Sequence, residues 1–338
     1  MLSSFFQRYW VEIDLEMRRV VTSQPNQPPD LGVMLQYALG WVDQEGNPSN
    51  IPTGKRIRPV LLLLAVEAAG GKWQSGLPAA AAVELLHNFS LVHDDIQDQS
   101  PLRHNRPTLW QIWGSAIAIN IGDALFTMAY DALERLSSTG LSSDKLIEIW
   151  RIFNRTMLEL TRGQHLDMRF EHQDTVTPDE YISMITGKSA ALLAASAQMG
   201  ALIASGNPQL AEHYAEFGLN LGIAFQIRDD ILGIWGDPSV TGKSAATDIL
   251  SRKKSLPVLY GLENSDKLMR VYERGEFKQA DIDEAVAILD TLDAQEYTRQ
   301  SEERYYQKAI SALEAANPQG APAEWLSQLV TSLFERNY

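Results

Sequence analysis

The sequence contains no cysteine in its 338 residues. This absence excludes disulfide bonds, thiolate nucleophiles, and zinc or iron–sulfur sites built on cysteine. Basic residues are also scarce, because 29 Lys and Arg stand against 43 Asp and Glu and leave a formal net charge of −14. So acidic a chain is poorly suited to bind nucleic acid or an anionic membrane surface. We therefore expect no nucleic-acid partner.

Long hydrophobic runs are absent too. The most apolar stretch, residues 190–204, contains Ser196 and Gln198 and is too short to span a bilayer. The first residues mix charges among apolar positions and lack the core of a signal peptide. We therefore expect no transmembrane segment and a cytoplasmic protein.

Alternating β-type patterns are rare, whereas apolar residues recur at helical spacing along nearly the whole chain. Residues 79–93 form a stretch rich in alanine and leucine that is far too long for a strand. Further helices are predicted over residues 115–136, 146–170, 188–204 and 210–234, and the first fifty residues are predicted to form a helix with a Pro-rich connection. Thr177, Pro178 and Glu180 predict a helix start with a capping box.

The length of the chain alone would suggest two domains, but this prior is weak. The turn segments rich in Gly and Pro are short, and the chain has no long flexible linker and no internal repeat. We therefore predict an all-α protein in which residues 1–338 form a single-domain helical bundle.

Two acidic clusters follow apolar helical stretches. Asp94 and Asp98 are four residues apart and share a helix face, and Asp95 lies beside them. Carboxylates this close raise each other's pKa unless a cation is present, and Mg²⁺ is a cation that prefers oxygen ligands. Asp229 and Asp230 form a similar pair after a second apolar stretch. Two such clusters in one helical chain suggest a central cavity whose facing helices share metal ions.

Basic residues are grouped rather than spread. The groups are residues 55–58, 103–106 and 252–254, and Lys243 stands alone on the loop before the last of them. The first group opens a helix, where free N–H groups and the helix dipole favour phosphate. The other basic residues follow one or the other acidic cluster along the chain. Each group taken alone could be a solvated surface patch, but together they predict an anionic ligand.

In content and order these motifs resemble the trans-prenyltransferase (polyprenyl synthase) family of class I isoprenoid synthases, and most of all its geranylgeranyl diphosphate synthases. The resemblance covers about residues 54–257 and includes the segment Gly163-Gln164-x-Leu166-Asp167. It implies that Asp94, Asp95, Asp98, Asp229 and Asp230 hold two to three Mg²⁺ ions. It implies that Lys55, Arg58 and His87 bind isopentenyl diphosphate. It also implies that Arg103, Lys188, Gln226, Lys243 and Lys253 bind an allylic diphosphate.

The resemblance further implies the isoprenoid synthase fold, with about a dozen helices around a deep central cavity, and usually a homodimer. The implied reaction is the head-to-tail condensation of isopentenyl diphosphate with dimethylallyl, geranyl or farnesyl diphosphate. In this family, bulky residues four and five positions before the first acidic motif limit product length. Here these residues are Ser90 and Phe89. One aromatic with one small residue resembles the enzymes that make geranylgeranyl diphosphate, so we predict a C20 product.

Two departures from the family pattern leave alternatives open. His104 stands where the family has the second of two arginines, on the side of isopentenyl diphosphate, and Gly233 replaces the third aspartate of the second motif. Asp237 lies one turn further along. The alternatives are a farnesyl (C15) or longer-chain synthase, a catalytically weak partner subunit of another prenyl synthase, and a class I terpene cyclase. A cyclase would give the segment Gly54-Lys55-Arg56-Ile57-Arg58-Pro59 no purpose.

Overall fold

The computed structural model describes residues 2–49, 56–173, 175–236, 246–275 and 277–334. Lys55 and Lys243, which were predicted to bind substrate, lie outside the described residues, as does Asp237. The chain forms two compact units, of which the first comprises Met1–Trp150 and Met199–Asn207 and the second Arg151–Gln198 and Pro208–Tyr338. That residues 1–338 act as one domain stays a prediction.

The described residues are almost entirely helical, as predicted. The helices are α1 (Leu2–Val21), α2 (Pro29–Ala38), α3 (Ile57–Ala68), α4 (Leu77–Gln97), α5 (Leu109–Trp113), α6 (Ser115–Glu134), α7 (Ser143–His172), α8 (Pro178–Ile185), α9 (Ala191–Ser205), α10 (Pro208–Trp235), α11 (Thr247–Leu250), α12 (Leu256–Asn264), α13 (Asp266–Tyr272), α14 (Gln279–Thr291), α15 (Ala294–Ala316) and α16 (Ala321–Phe334). Trp73–Gly76 and Arg135–Thr139 are 3₁₀ turns, and Thr186–Ala190 is a π-helical turn.

Three features differ from the sequence-based expectation. The first fifty residues contain two helices rather than one, because prolines follow α1 and Pro29 begins α2 at the position where its missing N–H costs nothing. The π-helical turn displaces the start of α9 from 188 to Ala191. The loop at 100–107 contains an antiparallel hairpin of β1 (Leu102–Arg103) and β2 (Arg106–Pro107).

The turn of this hairpin explains the residues at its tip. His104 and Asn105 have φ values of 51° and 60°, so both lie in the left-handed region. A two-residue hairpin turn of this type matches the right-handed twist of its strands. Asn and His enter this region more readily than most residues other than glycine. The hairpin therefore fixes the backbone position of Arg103, the last residue of β1.

The core of the first unit is formed by α3, α4 and α6. Every residue from Val60 to Val66 is buried, and α4 is buried from Pro78 to Leu86. Such unbroken burial is typical of a central helix rather than an amphipathic surface helix. A Cβ on Gly200 would lie 2.8 Å from the Cβ of Ala65, so only glycine allows this close approach to α3. The first half of α4 is thus packed in the core, and the first acidic motif lies at the other end of this helix.

The second unit is organised around α10, which packs along α15. A Cβ on Gly222 would lie 2.6 Å from the Cα of Ala190, and one on Gly218 would lie 2.6 Å from the carbonyl oxygen of Leu193. These glycines let α10 approach the π-helical turn and α9 backbone to backbone. The capping box at the start of α8 is confirmed, with Thr177 and Glu180 bonding reciprocally.

One helical segment among the described residues resembles a membrane span in length and composition. Ser115–Thr139 comprises 25 residues, and its most apolar window has a mean hydropathy of 1.2. In this window, 44% of the residues are buried inside the protein. Core helices of soluble proteins pass the same test, so this is weak evidence for a membrane segment.

Candidate active site

The first acidic motif occupies the last turn of α4. Arg103, on strand β1, reaches across to it: its Nε donates to Oδ1 of Asp95 at 2.8 Å, and its Nη2 lies 3.3 Å from Oδ2 of Asp94. Asp98 ends the helix and is exposed. Asp95 is buried, and burial raises the pKa of its carboxyl while the Arg103 charge lowers it. The hairpin therefore brings a predicted diphosphate ligand onto two predicted metal ligands.

His87, which the sequence assigns to the diphosphate of isopentenyl diphosphate, lies on the same helix, two turns before the acids. Nη1 of Arg58 lies 3.2 Å from Nε2 of His87. Burial lowers the pKa of His87 well below its ordinary value, and the charges of Arg58, Arg103 and His104 lower it further. His87 is therefore neutral near pH 7, with Nε2 free of its proton so that it can accept from Arg58. Three of the predicted substrate residues, Arg58, Arg103 and His104, are thus close enough to a fourth, His87, for their charges to lower its pKa.

Two arginines of the basic groups serve the fold instead. Arg56 has a left-handed backbone at φ 45°, and its Nη2 donates to Oδ1 of Asp14 on α1 at 2.8 Å. Arg106 stacks on the ring of Tyr37 at 3.9 Å and donates to the carbonyl oxygen of Val42. These contacts leave Arg58 and Arg103 as the arginines of these two groups that lie beside the acids and His87.

In the second unit, Asp230 is the most enclosed of the predicted site residues. It is fully buried, and its Oδ2 accepts from the hydroxyl of Tyr181 and from the N–H of Leu256 at 3.1 Å. Its Oδ1 accepts from Nε2 of Gln226 at 3.3 Å, and Gln226 in turn accepts from Ser189 at 2.7 Å. Both carboxylate oxygens are thus engaged with the protein. The Asp230 carboxylate therefore holds the side chains of Tyr181 and Gln226 and the N–H of Leu256 in place.

Lys188 lies in the π-helical turn and donates to Asp167 on α7. The two backbones cross closely here, because a Cβ on Gly163 would lie 2.8 Å from the Cα of Lys188 and 2.6 Å from the carbonyl carbon of Gly187. Gly163 and Gly187 therefore face each other across the crossing. They bring Asp167 of one segment to Lys188 of the other.

The three residues of the basic group 252–254 make different contacts. Nζ of Lys253 lies 3.6 Å from Oδ1 of Asp230 and 3.9 Å from Oδ2 of Asp248. Burial opposes its charge, but Asp230 and Asp248, with other nearby acids, outweigh burial and raise the pKa of Lys253. Arg252 stacks on Phe277 at 4.2 Å, and Lys254 donates to the carbonyl oxygen of Phe170 near the end of α7. Lys253 is the member that joins the acidic cluster.

The chain-length positions lie on α4 before the acids. The ring of Phe89 is 5.1 Å from that of Phe126 on α6 and 4.7 Å from the imidazole of His93. Tyr130 continues this row of aromatic rings beyond Phe126. Ser90 donates its hydroxyl to the carbonyl oxygen of His87 at 2.7 Å, so its side chain folds back on the helix. Phe89 is therefore the bulky group of the pair.

The family model described as polyprenyl synthetase matches residues 44–289. The chain belongs to this family. A (2E,6E)-farnesyl diphosphate synthase from Mycobacterium tuberculosis is 44% identical over 232 residues, which cover 69% of this chain and 63% of the relative. A geranylgeranyl diphosphate synthase from the same species is 36% identical over 289 residues, covering 84% of this chain and 81% of the relative. The match to the farnesyl enzyme thus spans less than two thirds of that enzyme's length.

Solved structures agree with this polyprenyl synthetase assignment. A polyprenyl synthetase from Streptomyces coelicolor A3(2) has a TM-score of 0.90 and 32% identity, and the match covers 98% of this chain and 99% of that one. A geranylgeranyl pyrophosphate synthetase from Pyrococcus horikoshii Ot3 has a TM-score of 0.88 and 31% identity, with 99% and 98% covered. The predicted all-α isoprenoid synthase fold is confirmed.

The donor chemistry of these side chains fits magnesium bound together with a diphosphate. Among the described residues, no group of three or more His, Cys, Asp or Glu side chains is arranged as a ready-made metal site. Asp94 and Asp95 share Arg103 through ion pairs of 3.3 and 2.8 Å. Magnesium is usually held by one or two carboxylates, several waters and substrate phosphates rather than by a complete protein cage. The carboxylates fit that role.

Sequence reasoning missed three residues that the structure joins to the clusters. Tyr181 and Asp248 belong to the network around Asp230 and Lys253, and Glu84 is buried one turn before His87 on α4. Burial raises the pKa of Glu84, and the charges of Arg56 and Arg58 lower it. A glutamate inside the apolar stretch 79–86 was a visible signal, because acidic residues are rarely buried without a partner. Tyr181 and Asp248 gave no comparable signal.

Proposed function

We propose that this member of the polyprenyl synthetase family is a magnesium-dependent short-chain trans-prenyl diphosphate synthase. It joins isopentenyl diphosphate head to tail to dimethylallyl, geranyl or farnesyl diphosphate, and its product is geranylgeranyl diphosphate (C20). The observation that carries the proposal is the arrangement on α4. His87, bonded to Arg58, lies on the helix that ends in Asp94, Asp95 and Asp98. One helix thus presents groups for a diphosphate and groups for magnesium.

The first unit would bind both the metal and isopentenyl diphosphate. Asp94, Asp95 and Asp98 are the proposed ligands of magnesium, while Arg58 and His87, with Lys55 and His104, would bind the diphosphate of isopentenyl diphosphate. Arg103 would exchange part of its contact with Asp94 for an oxygen of the allylic diphosphate. The 3.3 Å contact with Asp94 is the weaker of its two ion pairs and the easier to give up.

The second unit would supply further ligands for magnesium and for the allylic diphosphate. Asp229 is the proposed magnesium ligand, and Asp230 would hold Lys253 and Gln226 in place while adding charge beside the metal. Lys188, Lys243 and Lys253 would bind diphosphate oxygens. Lys188 and Lys253 are held by Asp167 and Asp230, so their ammonium groups are oriented before substrate arrives. Preorganised charge of this kind lowers a barrier because it needs no rearrangement during the reaction.

The chemistry follows from these roles. Magnesium would neutralise the charge that develops on the leaving diphosphate, an effect worth several kcal/mol. The lysines would add positive charge at the same oxygens. The allylic carbon would then alkylate the double bond of isopentenyl diphosphate, and the released diphosphate would accept the proton that is lost. No side chain needs to act as a nucleophile, in agreement with the absence of cysteine.

A second candidate product is farnesyl diphosphate (C15). The observation in its favour is the 44% identity to a farnesyl diphosphate synthase, against 36% for a geranylgeranyl diphosphate synthase. The Phe89–Ser90 pair favours C20 instead, since Ser90 leaves space where a second ring would shorten the product. A longer product, or a catalytically weak subunit that assists another synthase, would appear in the same assay. We further propose a cytoplasmic homodimer.

The test is to incubate the purified protein with magnesium, isopentenyl diphosphate and each of the three allylic starters, and to identify products by mass spectrometry. We expect a C20 product that disappears when a chelator is added. Asp94→Ala and Asp229→Ala should each lower turnover at least about a hundredfold, the scale of a lost electrostatic contribution to the transition state. Full turnover in chelator would contradict the proposal, and a protein inactive with all starters would favour the partner subunit.

A further inference from the structure

The residue just before α3 has an unusual backbone conformation. Arg56 has φ 45° and ψ 43°, and its side chain caps none of the described N–H groups that follow it. The left-handed region is unfavourable for residues with a Cβ, and helices more often begin after an extended Ser, Thr, Asp or Asn. Backbone conformations of this kind persist only where the surrounding structure holds them, and they cluster at functional sites.

The side chain of Arg56 is anchored on α1. Its Nη2 donates to Oδ1 of Asp14 at 2.8 Å, and its Nη1 donates to the carbonyl oxygen of Trp10 at 3.4 Å. Only 9% of the Arg56 side chain is exposed, so this ion pair is largely withdrawn from solvent. Trp10 and Asp14 are four residues apart and share a face of the helix. Both bonds therefore tie the beginning of α3 to one face of α1.

Asp14 is itself held by two further donors. Its Oδ2 accepts from Nε of Arg18 at 2.8 Å, and its Oδ1 accepts from Nε1 of Trp41 at 2.8 Å. The guanidinium of Arg18 also stacks on the ring of Trp41 at 4.2 Å. Burial raises the pKa of Asp14, but the bonds from these donors and from Arg56 outweigh burial and lower it. Asp14 is thus a charged and fixed partner for Arg56.

The turn at Arg56 decides where Arg58 points. Arg58 lies in the first turn of α3, two residues after Arg56, and its Nη1 is 3.2 Å from Nε2 of His87 on α4. Each residue of an α-helix rotates the chain by about 100° around the helix axis. If α3 began one residue earlier or later, the Arg58 side chain would therefore turn away from His87.

We propose that Asp14 is a positioning residue for the binding of isopentenyl diphosphate, and that it acts by anchoring Arg56 in the left-handed turn that begins α3. The inference rests on the proposed function, because it takes that diphosphate as the ligand of Arg58 and His87. The ion pair stabilises the turn, and the turn presents Arg58 beside His87. Asp14 itself needs no contact with the substrate. The diphosphate site thereby extends to α1, which holds none of the site residues predicted from the sequence.

The test measures binding rather than turnover. Isopentenyl diphosphate is titrated into the full-length protein without magnesium, and calorimetry gives its Kd. Geranyl diphosphate is titrated with magnesium present as a comparison. Asp14→Asn keeps the shape of the side chain and removes its charge, so Kd for isopentenyl diphosphate should rise about tenfold, equivalent to about 1.4 kcal/mol. Kd for geranyl diphosphate should stay at the wild-type value, because the change is confined to the other diphosphate.

Two substitutions at position 56 leave Asp14 in place and separate the turn from the charge. Arg56→Ala removes the anchor and keeps a Cβ, so Kd for isopentenyl diphosphate should rise as it does in Asp14→Asn. Arg56→Gly removes the same anchor, but glycine adopts the left-handed conformation without strain, so most of the wild-type affinity should remain. Adding Asp14→Asn to Arg56→Gly should then cause no further loss, because the two residues act as one unit.

Glu16→Gln is the matched control on the same helix. Like Asp14, Glu16 forms two ion pairs, with Arg19 at 2.9 Å and with Arg135 at 2.6 Å, and it is buried. Its replacement weakens the contacts of α1 but leaves Arg56 anchored. Tm should therefore fall, while Kd for isopentenyl diphosphate should match that of wild type.

Three results would overturn the inference. The first is an unchanged Kd for isopentenyl diphosphate in Asp14→Asn. The second is an equal loss of affinity in Arg56→Ala and Arg56→Gly, which would show that the guanidinium matters and the turn does not. The third is a rise in Glu16→Gln as large as in Asp14→Asn, because general loosening of α1 would then explain both.

The same measurements separate this inference from the proposed function. If the variants bind as stated while wild type makes no prenyl diphosphate from any starter, the role of Asp14 stands and the proposed function fails. If wild type makes the product and Asp14→Asn binds isopentenyl diphosphate as wild type does, the inference alone fails. A wild-type protein that does not bind isopentenyl diphosphate contradicts both.

Discussion

At the scale of single residues, the first cluster is organised around a neutral imidazole. His87 is flanked by Arg58 at 3.2 Å, and the charges of Arg58, Arg103 and His104 all disfavour its protonation. So much positive charge around a half-buried polar ring is the environment that an anion such as diphosphate prefers. Burial and these charges hold the pKa of His87 well below its ordinary value, so the neutral form of the ring is favoured.

We predict that His104 contributes to the binding of isopentenyl diphosphate. It stands where the family pattern has an arginine, whose guanidinium is always charged and can bind a phosphate through two hydrogen bonds. If His104 contacts isopentenyl diphosphate, His104→Ala removes that contact and should raise KM for this substrate. His104→Arg supplies a permanent positive charge and should lower KM below the wild-type value. The measurement is KM for isopentenyl diphosphate in wild type and in both variants.

His87→Gln is the matched comparison for this prediction. It should raise KM for isopentenyl diphosphate, because the contact of His87 with Arg58 at 3.2 Å is lost together with one proposed diphosphate ligand. A KM that is the same in His104→Ala as in wild type would place His104 outside the substrate site.

Phe89 carries the prediction on product length. It lies five residues before Asp94, about 7.5 Å along the axis of α4 at 1.5 Å per residue. Its ring packs on Phe126, so it is held firmly enough to stop a growing chain. Phe89→Ala should lengthen the product to C25 or more, and Ser90→Phe should shorten it to C15. Products are identified by mass spectrometry.

The competing explanation is that Phe89 only fills the core. Its truncation then costs stability without changing the product; a fully buried phenylalanine loses about 3–5 kcal/mol, and the half-buried Phe89 should lose less. Phe153→Ala is the comparison, since that ring is fully buried on α7 and should cost stability alone. If a folded Phe89→Ala protein still makes the wild-type product, Phe89 contributes only to packing.

At the scale of elements, the crossing of α7 with the π-helical turn determines where Lys188 points. A π-helical turn adds one residue to a helical turn and often marks a functional site. Here it brings Lys188 to Asp167, and the glycines at the crossing leave no space between the backbones. The sequence showed the segment that contains Gly163 but gave no reason for its glycine, because two segments that meet in space carry no local pattern.

Gly163→Ala should therefore damage this crossing. Its methyl group would overlap the backbone of Gly187 and Lys188, which cannot move aside as a side chain does. We expect the free energy of unfolding to fall by at least about 3 kcal/mol, at the upper end of the cost of overpacking. Gly275→Ala, where nothing lies within 4 Å of the added Cβ, should have little effect. Urea denaturation of both variants gives the comparison, and equal midpoints would show that the crossing tolerates a side chain.

How much of this could be predicted is clear from the elements themselves. The helices, the capping box at Thr177 and the pairing of acids with basic groups were all predictable, because each depends on residues close in sequence. The hairpin tip at His104 and Asn105, the π-helical turn and the contact of Asp248 with Gly233 were not. Each of these depends on backbone conformation or on residues brought together by folding. The different roles of residues within one basic group could not be predicted for the same reason. Arg56, for example, bonds to Asp14 on α1.

At the scale of the whole molecule, the proposed homodimer needs a surface on which a second copy packs. Ile147 and Leu158 are eleven residues apart on α7 and so share a helix face, with 50% and 72% of their surface exposed. Trp150, 37% exposed, lies one turn from Ile147. Exposed large apolar residues repeated along one helix commonly mark a protein interface. A second copy of this chain is the occupant that the family resemblance suggests.

We predict that charge on this face separates the dimer. Ile147→Glu with Leu158→Glu would bury two carboxylates in an apolar interface, which costs several kcal/mol and exceeds what a marginal association can lose. Light scattering during gel filtration should give about twice the 37.7 kDa chain mass for wild type and a single chain mass for the variant. Val11→Glu is the control, since Val11 is 54% exposed on α1 and lies away from this helix face in sequence. If the variant keeps the mass of a dimer, the interface lies on another surface. If the wild-type protein has the mass of one chain, the proposed dimer is wrong.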